Sequence, residues 1–266
     1  MKQSSKMIAR LTPILSLFIC VLFIVCSVSG FRFLKNPFTK TRSRPAITTA
    51  PFMPIKQSET AARSALTECV PQKIDFKAWQ NVNPDVYAYI EIPGTTISYP
   101  VLQSSTQEED YYLNTTVEKK AGLPGSIYTR MINDRNFTDP NTIIYGHDMA
   151  DGSYFGSLKA YVDRSFFDSH RDIYIYLPNW QLHYQVIAEV VYDDRYIPML
   201  YDFKSADSVI PYMQDLQNIQ EPENQFAADI SVTTGDKLIT LCTCIGNREN
   251  NRRLIVAKLM DKKLAR

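Results

Sequence analysis

The chain has 266 residues, of which 45% are hydrophobic, so it can bury one sizeable core without needing two domains. Its 29 basic and 28 acidic residues give a net charge of +1, which disfavours nucleic acid as a partner. Two of the five cysteines, Cys20 and Cys26, lie in an apolar N-terminal run. The other three, Cys69, Cys242 and Cys244, are an odd number, which excludes a disulfide framework and predicts a free thiol.

The N-terminal segment predicts a membrane anchor. Residues 1–10 form a basic n-region, and residues 11–31 contain no charged residue over about the length that crosses the hydrocarbon core as a helix. A cleaved signal peptide is the alternative, but the apolar run is longer than the ~7–15 residues of a usual signal core. We therefore expect an uncleaved single-pass anchor.

Residues 32–56 predict a tether, because Pro, Thr, Ser and basic residues mix there without a helical or strand period. More basic residues follow the apolar run than precede it, and this distribution opposes an external C-terminal domain. We nevertheless place residues 57–266 outside the cell, because the signal-like N-terminus and the site described below suit an exported domain.

Short helices and then strands are predicted for the rest of the chain. Ser58 can cap a helix through about Cys69, and Asp75 can start a second one. Pro93-Gly94 and Pro178-Asn179 then separate apolar runs at hairpin spacing, so we expect a largely antiparallel sheet that is curved or closed. The runs that predict strands are residues 87–92, 97–102, 126–129, 142–145, 172–177 and 181–192.

Two amphipathic helices are predicted within this region, at residues 153–162 and 205–216. The chain returns to strand at residues 237–244 and again at 253–260, before a basic tail. Between these last two strands, residues 246–251 predict a polar loop.

Cys244 is the candidate nucleophile, because it ends an apolar, β-prone run and precedes the polar loop, where a thiol meets solvent. Cys242 shares its strand face but lies inside the run, so packing is the simpler role for it. A zinc site from these two cysteines and His147 is disfavoured, because structural zinc takes four ligands with paired spacing.

His147 is the candidate proton carrier. It follows the strand of residues 142–145 through Gly146, which permits close backbone approach, whereas His170 and His183 fit a turn and a strand surface. A cysteine and a histidine brought together can share a proton, which supplies a thiolate and an acid for the leaving group. The first hypothesis is therefore acyl transfer.

Three arginines compete for the role of the cation that holds an oxyanion: Arg248, Arg252 and Arg253. If Arg253 opens the last strand beside the strand of Cys244, its side chain reaches the thiol. Arg252 then points to the opposite face.

Several ordered motifs carry a resemblance to a known family. They are Tyr145-Gly146-His147-Asp148-Met149, the box Thr240-Leu241-Cys242-Thr243-Cys244, the strand Arg253-Leu254-Ile255-Val256, Asn83-Pro84-Asp85 and Ile92-Pro93-Gly94-Thr95. Over roughly residues 75–260 the chain resembles the sortases, specifically the class B sortases. Two departures stand out: Cys242 occupies a box position that is commonly Ser in class B relatives, and Ile245 stands where a polar residue is expected.

The resemblance implies a mostly β fold with accessory helices, namely a closed sortase β-barrel with N-terminal helices and a helix inserted before the nucleophile strand. It also implies a membrane-anchored cysteine transpeptidase that needs no cofactor or metal. By motif position, Cys244 attacks the Thr carbonyl of a sorting signal and forms a thioester, His147 protonates the leaving amine, and Arg253 stabilises the oxyanion.

The implied partners are the sorting-signal peptides of secreted surface proteins, with an amine of the cell-wall precursor as acceptor. A pilin lysine replaces that amine in pilus-assembling members. A membrane-tethered binding module without catalysis is the alternative from another class, and the presence of all three candidate residues argues against it.

Overall fold

The computed structural model describes residues 69–266. The anchor, the tether and most of the helix expected from Ser58 lie outside the described residues. Cys69, at the expected end of that helix, instead begins a strand. No helix within residues 69–266 is long and apolar enough to cross a membrane.

Eight of the ten strands described in residues 69–266 close into a barrel. Around the ring the order is β10, β9, β5, β4, β3, β2, β6 and β7, and the pairing of β10 with β7 closes it. In chain order the strands are β1 Cys69–Val70, β2 Val86–Glu91, β3 Ser98–Leu102, β4 Ile127–Thr129, β5 Asn141–Tyr145, β6 Asp172–Leu177, β7 Trp180–Asp193, β8 Gln225–Phe226, β9 Leu238–Ile245 and β10 Arg248–Ala265.

Short helices fill the connections between the strands. The first, α1 (Phe76–Val82), is capped by the Asp75 carboxylate, which accepts a hydrogen bond from the backbone amide of Ala78, as its sequence predicts. The other α-helices are α2 Arg164–Ser169, α3 Ile197–Leu200 and α4 Val209–Gln217. Three 3₁₀ segments accompany them: Tyr111–Asn114, Gly156–Val162 and Ala206–Ser208.

The predicted closed, mostly β architecture is confirmed. Each predicted strand is present within one or two residues of its expected ends, except the last. The turns at Pro93-Gly94 and Pro178-Asn179 join antiparallel neighbours, β2 to β3 and β6 to β7. Among the ten strand pairings of the described residues, three are parallel: β1 with β10, β3 with β4, and β5 with β9.

Two predicted elements are wrong in detail. The helix expected at residues 153–162 begins only at Gly156 and is 3₁₀, because Tyr154 has a φ of 51° and forms a turn before it. The loop expected at residues 246–251 is a two-residue turn, Gly246-Asn247, after which β10 starts at once. A Gly-Asn pair between two apolar runs is a hairpin signal.

Apolar residues cover both faces of the β9–β10 ribbon. On the inner face, Leu241 and Ile255 belong to the barrel core. On the outer face, Leu254 and Val256 pack in a second cluster that includes Leu216 of α4. The ribbon therefore lies between two hydrophobic layers, and its free end, beyond those layers, carries the polar side chains of the site.

Candidate active site

A cleft of about 320 Å³ opens where β5 and β9 end and β10 begins. Its walls include His147, Cys242, Cys244 and Arg252. The parallel pairing of β5 with β9 places Tyr145 beside Cys242, so the segments that follow these two strands leave the sheet side by side. The strand register thus explains how residues almost a hundred positions apart in sequence meet at one cleft.

The two thiols of the cleft differ in solvent exposure. Cys244 is exposed and lies one residue before the end of β9. Cys242 lies on the same face but is buried, and burial raises the pKa of its thiol to about 12. Because the thiolate is the reactive form, the raised pKa of Cys242 suppresses its reactivity near neutral pH, and Cys244 is the thiol that solvent and ligands can reach.

The His147 side chain is held by one backbone carbonyl of the cleft lining. Its Nε2 lies 2.7 Å from the carbonyl oxygen of Leu113. A carbonyl only accepts hydrogen bonds, so Nε2 carries the proton in this arrangement and Nδ1 is the nitrogen left to exchange one.

The segment that carries His147 is fixed from both sides. A side chain at Gly146 would lie 2.4 Å from Ile127 and 2.8 Å from Phe155, so only glycine permits this packing. The Thr243 hydroxyl donates a hydrogen bond of 2.8 Å to the Gly146 carbonyl, which ties this turn to β9.

The arginine assignment made from sequence is wrong in its geometry. Arg252 pairs directly with Cys244 across the β9–β10 ladder, so their side chains share the cleft face. Arg253 pairs with Thr243, points to the barrel interior and is buried in an ion pair with Glu189. The structure therefore brings Cys244, His147 and Arg252 to the cleft and leaves Arg253 out of it.

The cause of the shift is a bulge in β10. Arg248 pairs with Ile245 and Arg252 with Cys244, so three residues of β10, Glu249 to Asn251, have no partner on β9. The carbonyl oxygens of Glu249 and Asn251 accept hydrogen bonds from Arg252 Nη1 at 3.0 and 2.9 Å. The bulge thus both displaces the register and holds the guanidinium of Arg252.

A second guanidinium in the cleft, that of Arg130, was missed by sequence reasoning. Its Nε and Nη2 each donate a hydrogen bond of 2.8 Å to the Asp110 carboxylate. It also lies 4.9 Å from the ring centroid of Tyr145 and 4.4 Å from that of Tyr196. Because Arg130 follows β4 immediately and no sequence signal links it to Asp110, only the fold reveals this contact.

The arrangement supplies the groups that acyl transfer requires. An exposed thiol, an imidazole with one free nitrogen and a guanidinium surround one open volume. A thiolate can attack a carbonyl, a guanidinium can bind the resulting oxyanion, and an imidazole can move the proton to a leaving amine.

Comparison with known proteins decides the family. A sortase-domain family model matches residues 90–260. The chain belongs to the sortase family. Sortase B of Listeria monocytogenes is 32% identical over 193 residues, which cover 71% of this chain and 75% of that protein.

Solved class B sortases share the fold. A Staphylococcus aureus sortase B–substrate complex is 27% identical with a TM-score of 0.60, covering 70% of this chain and 84% of that chain. A Streptococcus pyogenes class B sortase involved in pilus biogenesis is 25% identical with a TM-score of 0.61, covering 71% and 100%. This sortase is accordingly a cysteine transpeptidase of the sortase B type.

Proposed function

We propose that this sortase cleaves a C-terminal sorting signal after Thr and transfers the new acyl end to an amine of the cell-wall precursor. The observation that carries the proposal is the meeting of Cys244, His147 and Arg252 at one cleft in a chain of this family. Cys244 is the nucleophile, His147 the acid and base, and Arg252, in place of Arg253, the oxyanion cation.

In the first half-reaction the Cys244 thiolate attacks the Thr carbonyl carbon and forms a tetrahedral intermediate. Its oxyanion receives hydrogen bonds from the Arg252 guanidinium, whose position beside Cys244 is set by the β9–β10 register. The C–N bond then breaks, the proton that Nδ1 of His147 took from the Cys244 thiol passes to the departing amine, and a thioester remains on Cys244.

In the second half-reaction an acceptor amine attacks the thioester. Neutral His147 takes the proton of that amine, the C–S bond breaks, and Cys244 leaves as the thiolate. The buried Cys242 takes no part, because its high pKa keeps it protonated and its side chain is covered.

The anchor is part of the proposal. The apolar run at residues 11–31 holds the protein in the cell membrane, and residues 32–56 tether the catalytic domain on the outer face. Protease added to intact cells is expected to digest residues 57–266. Protection of that region would reverse the orientation.

A pilin lysine is the second candidate acceptor. The observation that favours it is the similarity to the Streptococcus pyogenes class B sortase involved in pilus biogenesis, which is matched over its whole length. The mechanism on the enzyme is the same, because a lysine amine attacks the same thioester.

One experiment tests the reaction and separates the acceptors. The full chain is incubated with a library of pentapeptide sorting signals, and the acyl-enzyme is detected by mass spectrometry and released with hydroxylamine. Wild type is expected to form a hydroxylamine-sensitive adduct on Cys244. The acceptor is then the amine, stem peptide or pilin lysine peptide, that accelerates release of this adduct. Peptide binding without any adduct would contradict the enzymatic proposal and favour a binding module.

A further inference from the structure

Arg253 and Glu189 form a buried ion pair next to the cleft but outside it. The Arg253 side chain is 7% exposed and the Glu189 side chain is 0% exposed, and Nη1 of the arginine contacts Oε1 of the carboxylate. Glu189 lies on β7 opposite Ile255, so it is the diagonal neighbour of Arg253 on the barrel-interior face. Burying an ion pair costs desolvation free energy, so stability alone does not account for its presence.

The pair extends into a chain of charges. Glu223 lies 3.4 Å from Nη2 of Arg253 and 2.7 Å from Nη2 of Arg248. Arg248 also contacts Glu221 at 3.3 Å. The chain of charges joins β7, the start of β10 and the segment before β8, so it holds β10 on both sides of the bulge.

The apolar run of β10 specifies its register only through the charged residues at its two ends. Leu254 and Val256 pack on the outer layer while Ile255 and Ala257 pack in the barrel, so within the run a one-residue shift exchanges apolar for apolar side chains, and its cost falls on Arg253 or Lys258 entering a buried position. The bulge separates β10 from its hairpin turn, so the turn does not transmit its register either.

Two adjacent arginines make the ambiguity specific. After the one-residue shift that brings Arg253 into the cleft, Leu254 would take its place opposite Thr243 and Glu189 would lose its guanidinium partner. The Glu189 carboxylate is completely buried and its Oε2 has no hydrogen-bond partner within residues 69–266, which leaves Arg253 as its main support.

We propose that the Glu189–Arg253 pair, extended by Glu223, locks the register of β10 so that Arg252 faces Cys244. Glu189 and Arg253 are thus positioning residues that act through Arg252. This inference rests on the proposed role of Arg252 as the cation beside the nucleophile.

The test measures the reactivity of Cys244 rather than turnover. The full chain in detergent is alkylated with iodoacetamide at pH 7, and the Cys244 peptide is quantified by mass spectrometry, which separates it from the exposed Cys69. Arg252→Ala is expected to slow alkylation about tenfold, because the variant lacks the cation that faces Cys244 across the ladder and attracts negative charge at its sulfur.

The decisive variant replaces the ion pair by apolar residues. The double variant Glu189→Leu with Arg253→Met is expected to fold with an unchanged Tm, since apolar replacements of a buried pair are tolerated, yet to slow Cys244 alkylation about as much as Arg252→Ala. Adding Arg252→Ala to this double variant is expected to cause no further loss. Glu189→Gln keeps an oxygen for Arg253 and should alkylate within about twofold of wild type.

Asp168→Asn is the matched control. It removes an exposed ion pair with Arg164, and neither residue lines the cleft, so alkylation should be unchanged. A folded double variant that alkylates at the wild-type rate, or additive losses in the triple variant, would overturn the lock. If the double variant does not fold, Arg253→Lys, which keeps the charge without the fork, should slow alkylation about threefold, and a wild-type rate would overturn the lock.

The outcome is independent of the proposed function. Alkylation needs no sorting peptide, so a wild type that forms no acyl-enzyme but shows this alkylation pattern would refute the transpeptidation proposal and support the lock. An active enzyme whose Cys244 reactivity ignores Glu189 and Arg253 would do the reverse.

Discussion

The two faces of the β9–β10 ribbon carry similar residues that have different roles. The outer face presents an exposed thiol, Cys244, opposite the guanidinium of Arg252. One position along, the inner face presents Thr243 opposite Arg253, and that guanidinium is buried against Glu189. The outer face is open to a peptide, whereas the inner face is closed to solvent and holds the strand in place.

The difference teaches that the face, rather than the residue type, sets the role here. Both arginines are adjacent in sequence, but alternation along a strand sends one to the cleft and the other to the barrel. The two thiols share a face and differ instead in burial, and burial is the main cause of the raised pKa that suppresses the thiolate of Cys242.

Replacing Cys244 by alanine, compared with the same change at Cys242, is expected to give the largest effect. Cys244→Ala should lower transpeptidation at least ~10⁴-fold, because loss of the nucleophile leaves only binding and oxyanion contributions. Cys242→Ala should retain most activity. Turnover of a fluorescent sorting peptide measures both, and equal losses in the two variants would contradict the assignment of Cys244.

Removing the proton carrier should be nearly as severe. His147→Ala is expected to reduce acyl-enzyme formation ~10²–10⁴-fold, the range for loss of a general acid. A substrate with an activated aryl ester in place of the scissile amide needs no acid, so it should recover much of the loss. The control is His183→Gln, which disturbs a histidine paired with Asp172 away from the cleft; no rescue by the ester would argue against an acid role for His147.

The two arginines should separate kinetics from stability. Arg252→Ala is expected to lower kcat by about 10²-fold, as for removal of an oxyanion donor, with a stability change below about 1 kcal/mol. Arg253→Ala leaves the Glu189 carboxylate buried without its partner and should cost about 3–5 kcal/mol in unfolding free energy. Chemical denaturation and peptide turnover measured side by side test this, and a stable but inactive Arg253→Ala would reverse the assignment.

Much of the fold was accessible from sequence because local signals agreed with it. The runs that became β6 and β7 were predicted within a residue of their ends, since turn residues bound them on both sides. The placement of Cys244 at a strand end and of His147 after Gly146 followed from the same signals. The closed barrel itself came from the resemblance to the sortases.

The choice between Arg252 and Arg253 was not accessible in the same way. Register is read from sequence when polar and apolar residues alternate, and from Leu254 to Ala257 the residues on both faces of β10 are apolar. The three bulge residues without a partner on β9 shift the pairing without leaving a pattern in the sequence. Glu189, which decides the matter, lies 64 residues away on another strand.

The inner face should also carry the smallest and most specific effect, a pH dependence of stability. Burial, opposed by Arg253 and assisted by the Glu223 carboxylate, raises the pKa of Glu189 from 4.5 to about 7. The native state therefore binds this proton more tightly than the unfolded state, so the contribution to stability is complete below pH ~4.5 and is lost as pH rises through 7.

Glu189→Gln removes that titration. Between pH 4.5 and 8, the unfolding free energy of wild type should fall by about 3 kcal/mol relative to Glu189→Gln, as measured by denaturant titration at a series of pH values. Arg252→Ala, on the outer face, should keep the wild-type slope, because its side chain does not face Glu189. A wild-type stability that rises over this interval relative to Glu189→Gln would mean that Arg253 keeps the carboxylate ionised throughout, and that the ion pair outweighs burial on the inner face.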